Sequence, residues 1–102
     1  MANVFKNYTA SAVGTTATTV YTVPAATTAV VIGMNAANVT ASQITVTIQL
    51  NGIHLVKGAP IPANSALSAL DGKIILEAAD TIEVTSDTAS AADIILSVLE
   101  QS

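Results

Sequence analysis

The sequence contains no cysteine, no arginine and no tryptophan, and among its 102 residues only three lysines, one histidine and three aromatic rings. Each shortage excludes a class of function. Without cysteine there is no disulfide framework, no cysteine-containing zinc site and no thiol chemistry. Three scattered lysines cannot form the basic face that neutralises nucleic-acid phosphates. A net charge of −4 disfavours an anionic membrane surface for the same reason. The expected partners therefore include neither nucleic acid nor membrane. No apolar run reaches the roughly 18 residues a spanning helix needs. Lys6, within residues 1–10, is not followed by the apolar stretch of a signal peptide.

What remains is a chain of one-domain length, just over half hydrophobic, in which alanine (19 copies) and threonine (14) dominate. With Phe5, Tyr8 and Tyr21 as the only aromatics, a core must come from Val, Ile, Leu and Ala. Thr and Val carry branched Cβ atoms that suit a pleated surface. The pattern along the chain is correspondingly β. Residues 44–50 alternate strictly, with Ile44, Val46, Ile48 and Leu50 on one face and Thr45, Thr47 and Gln49 on the other. Asn51-Gly52 follows as a type I′ hairpin signal, and Ile53 to Lys57 is the returning strand. Pro60 and Pro62 then break it, since neither can donate to a ladder.

Further strands are expected at Thr18 to Val23, Ala29 to Ala36, Lys73 to Glu77, Thr81 to Thr85 and Asp93 to Glu100, with a turn at Asp71-Gly72. Val4 to Thr9 reads as a first strand or an arm, and residues 63–70 as a possible helical turn. Seven or eight short strands at regular spacing predict an all-β fold, an antiparallel β-sandwich. Residues 1–10 form an N-terminal arm or first strand, and 11–102 the single sandwich domain. The inward set is Ile44, Val46, Ile48, Leu50, Leu76, Ile82, Val84, Ile94, Leu96 and Val98.

No constellation here points to catalysis, a cofactor or a metal. His54, the lone histidine, would need a nucleophile and an orienting acid beside it, and it stands between Ile53 and Leu55 just past a hairpin turn. Glu77, Asp80 and Glu83 lack the dense Asp/Asn/Gly spacing of a calcium loop and read as a solvated turn. Asp71, Asp87 and Asp93 lie next to expected turns, where Asp bonds local backbone. Gly72-Lys73 lacks the glycine run of a phosphate loop. Asn7 and Asn38 fit the glycosylation acceptor pattern, which a threonine-rich chain produces by chance. The predicted protein is therefore not an enzyme.

Three stretches together resemble small virion structural proteins of tailed bacteriophages, including phages of cyanobacteria. They are Val20-Tyr-Thr-Val-Pro24, Lys57-Gly-Ala-Pro-Ile-Pro62 and Lys73-Ile-Ile-Leu-Glu-Ala-Ala-Asp-Thr-Ile-Glu-Val84. The last is also similar to the Leu-x-x-Gly-Asp-x-Ile pattern of jelly-roll trimers and phage fibre domains, with Ala79 standing where glycine is usual. The resemblance implies a jelly-roll sandwich and a place in the virion, assembled in the host cytoplasm. Capsid decoration, as a cement protein on the outer surface of the head, ranks first. A tail, baseplate or fibre component ranks second, and a host-surface carbohydrate-binding module, with Tyr8 or Tyr21 stacking on a sugar, third.

The expected partners are the major capsid protein or other virion proteins, and the chain itself. The segments 29–36 and 93–100 are apolar on both faces, and one sandwich has only one interior. Contacts to a neighbour are expected at Val4, Phe5, Tyr8, Val31, Ile95 and Leu99. A closed homotrimer is expected from the resemblance, with a dimer as the competing arrangement.

Overall fold

The computed structural model describes residues 3–68 and 73–102. Nine strands make up its regular structure: β1 (Asn3–Val13), β2 (Thr18–Thr22), β3 (Thr28–Asn38), β4 (Ile44–Leu50), β5 (Ile53–Ile61), β6 (Ala66–Ser68), β7 (Ile74–Leu76), β8 (Thr81–Ser86) and β9 (Ala92–Gln101). They form two antiparallel sheets. One runs β1-β9-β3-β6, with β7 also paired to β3; the other runs β2-β8-β4-β5. The expected all-β, sandwich-like architecture is present.

The pairings nest. β4 pairs with its neighbour β5, β3 with β6 and β7, β2 with β8 and β1 with β9. Two further pairings, β9 with β3 and β8 with β4, complete the sheets. The first half of the chain is thus laid antiparallel against the second half.

Alternation places the core. Nine of the ten residues expected to point inward are at most 1% exposed, and the tenth, Leu50, is partly buried against them. Val13, Val20, Tyr21 and Val23 anchor the Thr- and Ala-rich stretch between β1 and β3 in the same cluster. At the β4–β5 turn Asn51 and Gly52 both have positive φ (50° and 82°), as a type I′ turn requires.

Several boundaries differ from expectation: β1 runs past residue 10 to Val13, and β3 to Asn38. β5 does not end at the glycine and prolines but continues to Ile61, with Pro60 opposite Thr45. It is an edge strand, so the missing proline N–H faces no partner. Gly58, at φ 61°, marks an irregularity in register rather than an end, and its N–H is taken up by the Thr47 hydroxyl at 3.1 Å. Within 63–70, Ala66–Ser68 forms β6 against β3 instead of a helical turn. The expected Asp71-Gly72 turn lies outside the described residues.

Candidate functional site

Two features stand out from the framework: a polar cluster where β1, β2 and β9 meet, and the outer face of the β1-β9-β3 sheet.

The cluster follows from strand parity. In β9 the inward positions are Ile94, Leu96 and Val98, so the next inward side chain is the carboxylate of Glu100, 7% exposed. A buried carboxylate needs compensating donors. Tyr21, from the opposite sheet, donates to Glu100 Oε2 at 2.5 Å, and Tyr8 from β1 donates to the same oxygen at 2.8 Å. Lys6 Nζ lies 3.4 Å from Oε1. The two tyrosine rings pack on each other with centroids 4.4 Å apart. Tyr21 thereby ties the two sheets together.

The electrostatics fix the charges. The Tyr21 hydrogen bond, with help from Tyr8 and Lys6, outweighs desolvation and holds Glu100 below the usual carboxylate range. Burial, followed by the carboxylate beside them, pushes both tyrosines up from 10.0. Every shift runs away from neutrality. The cluster can hold an ion pair network in which the Glu100 carboxylate and the two tyrosines keep their ordinary charge states at neutral pH.

The acids expected at turns serve the backbone. Asp80 accepts from Asn51 Nδ2 at 2.8 Å and from the Glu77 N–H at 2.8 Å, which lowers its pKa and joins the β4–β5 turn to the β7–β8 turn. Asp87 accepts from the Thr45 N–H at 3.0 Å and is lowered in turn. Asp93 accepts from the Ala12 N–H at 2.9 Å. Among the described residues no group of three or more His, Asp and Glu side chains is placed to hold a metal ion. His54 is exposed, with its Nε2 3.4 Å from the Gln49 amide. Asn38 is buried, its amide donating to the Ser42, Ile61 and Pro62 carbonyls at 2.8, 3.0 and 3.1 Å. It is a structural tie, closed to glycosylation.

No family model matches this chain, and no curated protein does.

The expected contact residues divide between inside and outside. Phe5, Ile95 and Val4 are exposed at 74%, 50% and 42%, and Leu99 is half-buried on the outer face. Val31 does not reach the surface: at 1% exposure it packs inward, and its neighbours Val30 and Ile32 turn outward instead. Tyr8 also points inward, onto Tyr21 and Glu100. Residues 3–10 are no free arm, since each pairs in register with β9. Tyr21, at 3% exposure, has no ring face to offer a sugar.

Proposed function

We propose that the chain is a non-enzymatic structural protein of a bacteriophage virion, a decoration (cement) protein bound to the outside of the head, and that its two sheets form a jelly roll. The nested strand pairing carries this reading. A long hairpin whose two halves pair antiparallel, rolled up so that alternate strand pairs fall in opposite sheets, is what a pair of Greek keys produces, and such rolls recur in viral capsids.

The segments that carry the phage resemblance fall on these strands. Val20 to Pro24 ends β2, Lys57 to Pro62 is the irregular edge strand, and Lys73 to Val84 runs through β7, the turn and β8. Ala79, standing where the resembled pattern has glycine, adopts φ 71°, the conformation for which glycine is suited. A cement protein needs a stable core, uncharged surface to pack on other subunits and many copies. Weak contacts repeated over a shell then act together. The major capsid protein is the partner this role requires.

Gold-labelled antibody against the chain, viewed on whole virions by electron microscopy, tests the reading. Label distributed over the head is the expected result. Label confined to the tail would replace decoration by a tail or fibre role, and unlabelled particles would end the virion reading.

A further inference from the structure

The two outer faces of this protein differ. On the β2-β8-β4-β5 sheet the outward strand residues include Thr19, Thr45, Thr47, Gln49, Thr81, Glu83 and Thr85, an ordinary solvated surface. On the other sheet the register aligns an apolar row across four adjacent strands. Phe5 of β1 lies opposite Leu99 of β9, Leu99 opposite Val30 of β3, and Val30 opposite Ile75 of β7. Phe5 and Ile75, at the two ends of the row, are 74% and 67% exposed. Ile32, 42% exposed, stands beside the row where the β3–β9 register shifts, and shares a shallow groove with Phe5, Lys6, Asn7, Ser97 and Val98.

We propose that this face docks against the same face of a second copy of the chain. The charge distribution favours that occupant. Each chain carries a net −4, which would keep two copies apart wherever acids face each other. Among the described outward strand residues of this sheet Asp93 is the one charge, and its Oδ1 already accepts the Ala12 N–H; Lys6, at the groove, is paired with Glu100, and Lys73 stands just before β7 at the margin. Glu77, Asp80, Glu83 and Asp87 lie on the other sheet or in the turns, and Glu100 is inside. A face with so little charge is complementary to itself and has little to offer a strongly charged partner.

The area is also adequate. Three strands of 10 and 11 residues, β1, β9 and β3, span roughly 35 by 15 Å, and the three-residue β6 and β7 widen the face along the edge of β3. That projected face is roughly three-quarters of the ~800 Å² per partner of a standard stable interface, the size of a small dimer contact. Like faces that cover each other meet about a two-fold axis. An axis parallel to the strands and running between β9 and β3 keeps the two sheets nearly aligned, the common packing of β-sheets. It turns the row onto itself in reverse, setting Phe5 against Ile75 of the second copy and Leu99 against Val30. The inference stands apart from the virion reading. It specifies two copies where the resemblance implies three.

Sedimentation equilibrium of the purified chain at micromolar concentration tests it, with the β circular dichroism signal as the check on folding. The wild type is expected to be a dimer. Phe5→Lys and Ile75→Asp, each at an exposed position, should separately raise the dissociation constant at least about tenfold. Ile53→Asp, equally exposed on the other sheet, should leave it unchanged. The double variant Phe5→Lys/Ile75→Asp should regain association relative to either single variant. The two positions are three strand spacings apart within one chain, roughly 14 Å, and meet only across the two-fold axis. A monomeric wild type, a trimer, or a dimer indifferent to both single variants would overturn the proposal, and failure of the double variant to recover would overturn the two-fold arrangement.

Discussion

Replacing Ile48 with alanine is expected to destabilise the protein by about 2–5 kcal/mol. Ile48 sits in the middle of β4, flanked by Val84 of β8 and Val56 of β5, and is fully buried. With both neighbouring strands held in their own ladders, the site cannot collapse around the smaller side chain, so the lost transfer energy and the residual cavity add. Ile53→Ala, at a residue 72% exposed, should change stability by no more than about 0.5 kcal/mol. Urea unfolding separates the two: the midpoint falls for Ile48→Ala at an unchanged slope. A near-zero effect at Ile48 would mean that the inner face of β4 is misassigned, and with it the packing of the two sheets.

The second large effect is expected at the polar cluster. Tyr21→Phe keeps the ring and its packing on Tyr8 but removes the hydrogen bond to Glu100, leaving a buried carboxylate less well satisfied. Loss of a hydrogen bond to a charged group costs about 1.5–3 kcal/mol. The pH dependence carries the sign. Glu100 has a lower pKa in the folded than in the unfolded chain, so its contribution is complete above the ordinary carboxylate range and is lost as pH falls through the lowered value. The tyrosines have raised values, so theirs is complete below pH 10.0 and is lost as pH rises beyond it. Urea unfolding should therefore show a plateau between the two limits. The gap between wild type and Tyr21→Phe should be widest on the plateau and narrow in acid, where Glu100 is protonated. A gap of the same size in acid and at neutrality would show that the Glu100 charge is not what Tyr21 stabilises.

How much of this was legible depended on local contrast in the sequence. Strict alternation at Ile44 to Leu50 revealed both strand and facing, because a period of two has one interpretation when apolar and polar residues take turns. The Asn51-Gly52 turn was legible for a similar reason, since few residue pairs accept two positive φ angles. Ala29 to Ala36 is apolar on both sides and carries no such contrast. Its facing was therefore not readable, and Val31 fell inside while Val30 and Ile32 fell outside. Pro60 reads as a stop unless one knows that β5 is an edge, which only the tertiary pairing decides. β1 pairs with β9 across almost the whole chain, as Tyr8 with Leu96, and no local signal announces such a partner. The Glu100 cluster had one available clue. Extending the inward parity of Ile94, Leu96 and Val98 by two residues buries a carboxylate, and a buried carboxylate demands donors such as the two tyrosines.

The central claim is that the chain decorates a head in many symmetry-related copies, and copy number tests it most directly. Quantitative mass spectrometry of purified virions gives the ratio of this chain to the major capsid protein. Decoration predicts that this chain is comparable in abundance to the major capsid protein. A handful of copies per particle, the stoichiometry of a tail or baseplate part, would contradict it.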